Sequence, residues 1–133
     1  MILVDTSAWV EFDRATGSAV DERLTSLIAD GADIAVTEPV LMEVLAGARS
    51  DATARDLRRL LLGFSFAPVD GPVDFEAAAR IYRTCRRAGV TPRGLVDCLI
   101  ASVASRSGMR LLQCDADLAR VAEVIGLPLE ATE

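Results

Sequence analysis

The stretch Met1-Ile-Leu-Val-Asp5-Thr-Ser7 joins a short, wholly apolar run to an acid and two hydroxyl residues. An apolar run of this kind predicts a strand that is buried on both faces, as in a parallel sheet. In open α/β sheets, ligands bind just beyond the carboxyl ends of the strands. The stretch therefore predicts that Asp5 lies at a functional edge of a parallel sheet.

Strand and helix patterns alternate along the rest of the chain. Short apolar runs predict four strands, at residues 2–5, 34–36, 66–69 and 109–113. Helical patterns with capping, Pro and Gly residues at their ends predict helices at 7–14, 18–29, 38–49, 51–62, 72–89, 93–107 and 116–125. Because no linker or repeat divides the sequence, we expect a single α/β domain over residues 1–133. Its mostly parallel sheet is expected to lie between two layers of helices.

The chain contains no histidine and no lysine. Without histidine there is no Ser-His or Cys-His pair and no His-ligated zinc site. Without lysine there is no Walker-type phosphate loop and no Schiff base. No G-x-G-x-x-G motif follows a strand, so dinucleotide binding has no support. An enzyme with this composition must rely on carboxylates, hydroxyls, arginines and a metal ion.

The cysteines, and the lack of a signal-peptide-like or membrane-spanning run, indicate the cellular compartment. Cys85, Cys98 and Cys114 stand in apolar contexts and form no C-x-x-C pair, which predicts reduced core thiols in a reducing compartment. No basic-then-apolar leader precedes Asp5, and no apolar run approaches the roughly 18 residues of a membrane span. We therefore expect a cytoplasmic protein with no membrane segment.

Four acids lie in settings where an ionised carboxylate is costly. Asp5 follows a buried strand, and Asp115 follows the last predicted strand, with Asp117 two residues further on. Glu43 and Asp97 lie in helical segments that are apolar almost all round. Such a charge needs a cation or several hydrogen-bond donors. Each acid alone could instead be a cap or a salt-bridge partner, and Asp115 in particular could simply cap the helix that follows it.

The remaining acids have polar neighbours in the sequence, which predicts ordinary surface charges. They include Asp13, Asp21, Glu22, Asp56, Asp74 and Glu76.

A divalent metal ion would stabilise the four unusual acids if the fold brings them together. Two carboxylates ~4 Å apart repel by about 4 kcal/mol at an effective dielectric constant near 20. Oxygen-only ligation, with neither histidine nor paired thiolates, favours a hard ion: Mg²⁺ or Mn²⁺ before Ca²⁺, and zinc last. The four acids together therefore predict a metal centre.

The arginines are unevenly distributed in a chain whose formal net charge is −6. That charge argues against a generic nucleic-acid-coating protein. However, five arginines and no acid lie between Arg80 and Arg93, and Arg80, Arg83 and Arg87 share one helical face. This face could be merely solvated, or it could contact phosphate or an acidic partner, because a guanidinium binds two oxygens at once.

Four motifs in order resemble the PIN domain, and within it the VapC-type toxins of toxin–antitoxin pairs. They are Val4-Asp5-Thr6-Ser7, Glu43 within 38–47, Leu95-Val96-Asp97-Cys98 and Cys114-Asp115-Ala116-Asp117. No single motif is specific, but four acids in this order and in these apolar settings are more telling. The similarity covers essentially the whole chain. It implies a three-layer PIN-like fold with the acids at the carboxyl edge of the sheet.

The resemblance implies a Mg²⁺- or Mn²⁺-dependent endoribonuclease that cuts structured RNA, such as transfer or ribosomal RNA, with metal-activated water. Matching residue by residue, it makes Asp5, Glu43, Asp97 and Asp115 the catalytic, metal-binding cluster, with Asp117 as an auxiliary ligand. We expect Asp5, Asp97 and Asp115 to hold the principal ion. Glu43 is expected to hold a second ion or to orient the attacking water.

Further roles follow from the same resemblance. The hydroxyl of Thr6 or Ser7 is expected near the metal or the phosphate. A VapB-type antitoxin is the expected inhibitor, and a homodimer is the expected assembly. The arginine face is expected to contact RNA or the antitoxin through Arg80, Arg83, Arg87 and Arg93.

The last motif departs from the pattern of many relatives. Gln113, Cys114 and Leu118 stand where those relatives have Thr or Asn before the acid and an aromatic residue after the second Asp. Which of Asp115 and Asp117 is the metal ligand and which is the auxiliary residue therefore stays open.

Three other classes of protein can be weighed against this prediction. A haloacid-dehalogenase-like phosphatase also begins with an acid after a strand, but it needs a second Asp where Ser7 stands, and it typically uses a lysine. A non-catalytic PIN-like module that binds a metal or a partner would keep the same acids, as would a structure-specific DNA nuclease. A metal-dependent RNA-cleavage assay with an acid-cluster variant as control separates these classes.

Overall fold

A single parallel sheet organises the chain in the computed structural model, which describes residues 1–132. Its strands are β1 (Ile2–Val4), β2 (Ile34–Val36), β3 (Ser65–Phe66) and β4 (Arg110–Leu112). Their order across the sheet is β3-β2-β1-β4, and every pairing is parallel. Ile2 lies beside Ile34 on one side and Arg110 on the other. Strand β1 is therefore internal and wholly buried, as its apolar sequence predicts.

Seven helices pack around the sheet in the described part of the chain. They are α1 (Thr6–Asp13), α2 (Ala19–Ala29), α3 (Glu38–Ala46), α4 (Asp51–Leu61), α5 (Gly71–Arg87), α6 (Leu95–Arg106) and α7 (Ala116–Ile125). Right-handed crossovers from β1 to β2 to β3 place α1 to α4 on one face, and the return to β4 places α5 and α6 on the other. The contacts between helices agree with this two-layer arrangement, because α1 contacts α2 and α3, whereas α5 contacts α6 and α7. The predicted α/β fold is confirmed.

The core lies between the sheet and both helical layers. Leu3, Val4, Val36, Leu111 and Leu112 of the strands are fully buried. Each such side chain contributes about 1.5–3 kcal/mol by leaving water, so the strand ends, and the residues that follow them, have fixed positions. Between Met1 and Thr132, no helix is both long and apolar enough to cross a membrane.

The largest difference from the predicted boundaries concerns β3, which the pattern places at 66–69. The sheet hydrogen bonds end at Ala67, whose N–H donates to the carbonyl of Val36 at 2.8 Å. Pro68 follows, and it has no N–H to continue the ladder. Helix α3 is also shorter than predicted and ends at Ala46, before the poor helix former Gly47.

Two acids predicted to be surface charges are buried. Asp74 is wholly inaccessible, and Asp21 is almost so. Each accepts a backbone N–H from four residues earlier, from Asp70 and Gly17 respectively. Asp74 also binds the guanidinium of Arg106 at 2.8 Å. The polar neighbours of these acids in the sequence do not reveal partners that the fold brings to them.

The prediction of three core thiols is correct for two of them. Cys85 and Cys98 are buried, whereas Cys114 is exposed, and all three are free. Burial raises the pKa of both core thiols, that of Cys98 to about 11, so they stay protonated at neutral pH. Cys114 lies beyond the end of β4, where its Sγ approaches the carbonyl of Ser7 at 3.7 Å. Its position past the strand explains the exposure.

Glu130 fastens the segment after α7 to the sheet. Its N–H donates to the carbonyl of Leu111 at 2.9 Å. Its side chain accepts from Arg23 at 2.7 Å and pairs with Arg110 at 2.8 Å. Burial alone would raise the pKa of Glu130, but the hydrogen bonds from Arg23 and Arg110 outweigh it and hold the pKa below its usual value. This carboxylate therefore stabilises the fold above about pH 4 and ceases to do so in acid.

We expect Glu130→Gln to lower the free energy of unfolding by about 2 kcal/mol, because it weakens the three charge-assisted hydrogen bonds that the carboxylate accepts from Arg23 and Arg110. The matched control is Glu123→Gln, which changes an exposed glutamate of α7 and should cost less than about 0.5 kcal/mol. Urea unfolding at neutral pH measures both. Equal stability of the two variants would contradict the fastening role of Glu130.

Candidate active site

The carboxyl ends of β1 and β4 lie side by side and hold the first acid in place. The N–H of Asp5 donates to the carbonyl of Leu112 at 2.9 Å. Asp5 caps α1, and its Oδ2 accepts from the N–H of Ser7 at 3.0 Å and from the Ser7 hydroxyl at 2.6 Å. The same hydroxyl accepts from the N–H of Cys114 at 3.1 Å. Ser7 therefore links the Asp5 carboxylate to the residue stretch that follows β4.

The surroundings of Asp5 disfavour its charge. The residue is only 4% exposed, and burial raises the pKa of its carboxyl. The hydrogen bonds from Ser7 oppose this effect, while the nearby Glu43 adds to it. The net result is a raised pKa. A cation at this position would stabilise the ionised form.

Glu43 reaches the same region from α3. Its Oε1 accepts a hydrogen bond of 2.7 Å from the hydroxyl of Thr6, the residue next to Asp5. Both hydroxyls expected near a metal or phosphate thus donate to carboxylates in this structure, Thr6 to Glu43 and Ser7 to Asp5. They fix the orientation of two acids that approach from different elements.

Asp97 lies at the electrostatic centre of the acids. It is half-buried in the first turn of α6. Burial raises its pKa to about 7, with further contributions from Asp5, Asp115, Glu43 and Asp117 in that order. Every named contribution raises the pKa, and none lowers it. The fold therefore brings the four other predicted acids within electrostatic reach of Asp97.

Asp115 and Asp117 differ from the other three acids because arginines neutralise them. Asp115 caps α7, as its position predicts, with its Oδ1 accepting from the N–H of Asp117 at 2.8 Å. Both oxygens of Asp115 also accept from Nη2 of Arg93 at 3.0 Å. Asp117 accepts from the N–H of Arg93 at 2.9 Å and pairs with Arg120 at 3.3 Å.

The contact between Arg93 and these two acids could not be read from the sequence. Arg93 precedes α6, and Asp115 lies 22 residues further along the chain, at the start of α7. No local pattern connects the two positions. Arg93 was expected on an RNA or antitoxin surface, and its 73% exposed side chain still leaves it accessible to such a ligand.

The acid cluster fits a hard divalent cation by charge and donor type, although its carboxylates are not yet arranged around one. Asp5, Glu43 and Asp97 have only oxygen donors to offer, and burial and mutual repulsion raise the pKa of Asp5 and Asp97. Within residues 1–132, no three acids stand in positions that could hold an ion as they are.

The predicted arginine face is present, but its members differ in position. Arg80, Arg83 and Arg87 are all exposed on α5. Of these, Arg83 alone lines a cavity together with Arg93. Arg87 instead donates to the hydroxyl of Thr84 at 3.2 Å. The structure thus joins Arg93 to the acid cluster, places Arg83 in the same cavity as Arg93 and leaves the rest of the face outside this cavity.

Comparison with known proteins identifies the family of the chain. The model of the PIN domain matches residues 2–124. The chain belongs to the PIN-domain family. Within it, the chain is 48% identical to ribonuclease VapC11 of Mycobacterium tuberculosis and to a VapC ribonuclease of Mycobacterium bovis, over 128 residues and 96% of each protein. The recognition of a VapC-type PIN domain from the four acidic motifs is confirmed.

Solved structures agree with this fold. The VapBC2 complex of Rickettsia felis, bound to a DNA fragment from its promoter, contains a chain with a TM-score of 0.75 and 21% identity, covering 98% of both chains. FitAcB of Neisseria gonorrhoeae gives a TM-score of 0.72 and 22% identity, covering 99% of this chain and 98% of its own. VapC20 of Mycobacterium tuberculosis, described as a sarcin-ricin loop cleaving toxin, gives a TM-score of 0.63 and 21% identity, covering 90% of this chain and 93% of its own.

Proposed function

We propose that this PIN-domain chain is a Mg²⁺- or Mn²⁺-dependent endoribonuclease that acts as the toxin of a toxin–antitoxin pair. The single observation that best supports the proposal is the environment of Asp97, whose pKa rises to about 7 among four other acids. Acids that served stability alone would be paired, as Asp74 is with Arg106. The names of the VapC relatives, which are ribonucleases, supply the reaction class.

Asp5 and Asp97 are the residues that would hold the metal ion first, with Asp115 as the expected third ligand once Arg93 releases it, and Glu43 would orient the attacking water. When bound, a divalent ion supplies Lewis-acid chemistry, which neutralises phosphate charge and makes water a better nucleophile at neutral pH. Without histidine or lysine, the chain offers only carboxylates as bases for this task. A bound ion that makes water more acidic would assist them.

The protein groups around the acids position the reactants. Ser7 and Thr6 hold the Asp5 and Glu43 carboxylates through hydrogen bonds of 2.6 and 2.7 Å. The Glu43 oxygen that Thr6 does not bind can accept a proton from the attacking water. Hydrolysis then forms one P–O bond to that water and breaks another, and the leaving oxygen takes up a proton. Arg93, beside Asp115, is placed to bind a phosphate oxygen of the substrate.

Structured RNA, such as transfer or ribosomal RNA, is the proposed substrate, and a VapB-type antitoxin is the proposed inhibitor. The description of VapC20 as a sarcin-ricin loop cleaving toxin supports the substrate class, and the antitoxin complex of Rickettsia felis supports the partner. The expected homodimer stays a prediction that sedimentation velocity can measure. Sequencing the 5′ ends of RNA fragments after induction in cells would identify the cleaved bond.

The purified chain is expected to cleave structured RNA with Mg²⁺ or Mn²⁺, to stop in EDTA and to resume when the ion is restored. Asp5→Asn should slow cleavage by at least about 100-fold. Even replacing a residue that only hydrogen-bonds to a metal ligand lowers metal affinity or activity about 10–100-fold. Asparagine is also a good helix cap, so α1 should persist. Gel electrophoresis of labelled RNA, with equal amounts of folded protein, measures both effects.

The control for this assay is Asp56→Asn, which changes an exposed acid of α4 and should cleave like the wild type. Undiminished cleavage in EDTA, or by Asp5→Asn, would contradict the metal-dependent mechanism. Cleavage of a matched DNA but not of RNA would favour the DNA-nuclease alternative. Metal uptake without cleavage of either would favour the non-catalytic module.

A further inference from the structure

We propose that a subsite formed by Tyr82, Arg83 and Arg93 binds one unpaired nucleotide of the substrate RNA, next to the cleaved phosphodiester. This inference rests on the proposed function and deepens it, because it names the part of the RNA that the site takes. The subsite is a cavity of ≈ 610 Å³ between α5 and the start of α6. Its lining residues are Ala79, Tyr82, Arg83, Arg93, Gly94 and Leu95.

The position of this cavity connects it to the acid cluster. Arg93 lines the cavity and also donates to both oxygens of Asp115 at 3.0 Å. Leu95, another lining residue, lies two positions before Asp97 on α6. Arg93 is therefore shared between the cavity and the acid cluster.

The charge on one side of the cavity suits a phosphate group. Arg83 is exposed and forms no ion pair with any side chain among residues 1–132. Arg93 uses Nη2 to bind Asp115, and its side chain is 73% exposed. Five arginines and no acid lie between Arg80 and Arg93. Of the two that line the cavity, Arg93 also pairs with Asp115 and Asp117, so Arg83 supplies most of the unshared positive charge there. Planar guanidinium groups bind phosphate oxygens in pairs.

The other side of the cavity is aromatic and apolar. The half-buried ring of Tyr82 lies beside Ala79 and Leu95, and the guanidinium of Arg86 lies 5.9 Å from its centre. Unpaired bases stack on aromatic rings and on guanidinium planes. An aromatic ring does not contribute to binding a phosphate group alone. The combination matches a nucleotide, whose base must be unpaired to reach the ring.

The test measures RNA affinity in EDTA with the cleavage-inactive Asp97→Asn protein, so that binding is independent of catalysis. The probe is a fluorescent single-stranded RNA of about eight nucleotides, followed by fluorescence anisotropy. Tyr82→Leu is expected to weaken binding about ten-fold, whereas Tyr82→Phe keeps the ring and should stay within about two-fold. Arg83→Glu should weaken binding about ten-fold at low salt, and less at high salt.

Arg58→Glu is the matched control, because it makes the same charge change at an exposed arginine of α4, outside the cavity and outside the arginine face. It should weaken binding no more than about three-fold, as a long-range charge effect. Circular dichroism and thermal melting verify that each variant is folded, and the comparison of Tyr82→Leu with Tyr82→Phe is made at equal helix content.

The subsite would be overturned by any of these results: no binding of the probe by the parent protein, equal affinities of Tyr82→Leu and Tyr82→Phe, or equal effects of Arg83→Glu and Arg58→Glu. Variants that weaken antitoxin binding but leave RNA binding unchanged would assign the cavity to the protein partner instead and overturn it too. Cleavage by the wild type distinguishes the two proposals. If the wild type cleaves RNA but the variants do not show the expected affinity changes, the subsite alone is refuted. If the variants show those affinity changes but the wild type does not cleave RNA, only the proposed nuclease activity is refuted.

Discussion

Asp97→Asn is expected to abolish metal-dependent RNA cleavage and, in metal-free buffer, to melt at a higher temperature than the wild type. The first effect follows from removing a proposed metal ligand and should exceed about 100-fold. The second follows from the pKa of about 7 that burial and neighbouring carboxylates impose on Asp97. A residue whose replacement both stabilises the protein and inactivates it is typical of a functional site.

The sign of the stability change follows from proton linkage. The pKa of Asp97 is higher in the folded chain, about 7, than its ordinary value of 3.8. The folded state therefore binds this proton more tightly, and stability falls as pH rises from about 4 to about 7. At 1.36 kcal/mol per pKa unit, ionised Asp97 costs the fold at most about 4 kcal/mol. Partial exposure to solvent reduces this to about 1–2 kcal/mol.

One effect acts in the opposite direction. The Asp97 carboxylate lies in the first turn of α6, where negative charge interacts favourably with the helix dipole by about 0.3–1 kcal/mol. Because the repulsion is larger, we expect a net rise of a few degrees in Tm at neutral pH. Differential scanning fluorimetry in EDTA measures the shift, with Asp56→Asn as the exposed control. A lower Tm for Asp97→Asn, or full RNA cleavage by it, would contradict the role given to this acid.

Asp74→Ala is expected to lower the free energy of unfolding by about 3–5 kcal/mol, the usual cost of breaking a buried ion pair. Asp74 is wholly buried and accepts from the hydroxyl of Ser102 at 2.7 Å and from the N–H of Asp70 at 2.7 Å. It also binds Arg106, which in turn donates to the carbonyl of Pro68 at 2.9 Å. This network ties the start of α5 to the end of α6.

The same network predicts how stability depends on pH. Burial would raise the pKa of Asp74, but the hydrogen bonds from Arg106, Asp70 and Ser102 outweigh it and lower the pKa. The stabilisation is therefore complete above about pH 4 and is lost as pH falls through the folded-state pKa. The wild type should lose more stability in acid than Asp74→Ala, and urea unfolding across this range measures both.

Glu76→Ala, two residues along α5, is the control for Asp74→Ala, because Glu76 is exposed and should contribute less than about 0.5 kcal/mol. If Asp74→Ala were as stable as Glu76→Ala, the buried pair would have no structural role. Because Asp97 lies on α6 and Arg93 lies between α5 and α6, loss of this network is expected to reduce RNA cleavage at temperatures where the variant begins to unfold.

Local sequence predicted the elements that hold the acids. The apolar run before Asp5 identified an internal strand, because only a strand covered on both faces is apolar throughout. The apolar surroundings of Glu43 and Asp97 identified helices that pack closely, and the position of Asp115 identified a helix cap. Each of these properties depends on residues close in the sequence, so the local sequence pattern was sufficient to predict these helices, the strand and the cap.

Long-range pairings could not be predicted in the same way. Asp74 has polar neighbours in the sequence, yet it is buried because Arg106 reaches it from 32 residues away. Arg93 meets Asp115 across 22 residues, and nothing near either residue indicates the other. The sequence therefore predicted which carboxylates converge, but not that arginines already neutralise two of them. Partner choice between distant charges depends on the packing of whole helices.

Isothermal titration of Mn²⁺ into the metal-free protein is the most direct test of whether the acids around Asp97 form a cation site. The wild type is expected to take up Mn²⁺ with a saturable heat, and Asp97→Asn to bind at least about 100-fold more weakly. Asp56→Asn should bind as the wild type does. A wild-type chain that takes up no Mn²⁺, or an Asp97→Asn chain that binds it equally well, would contradict a metal-centred active site.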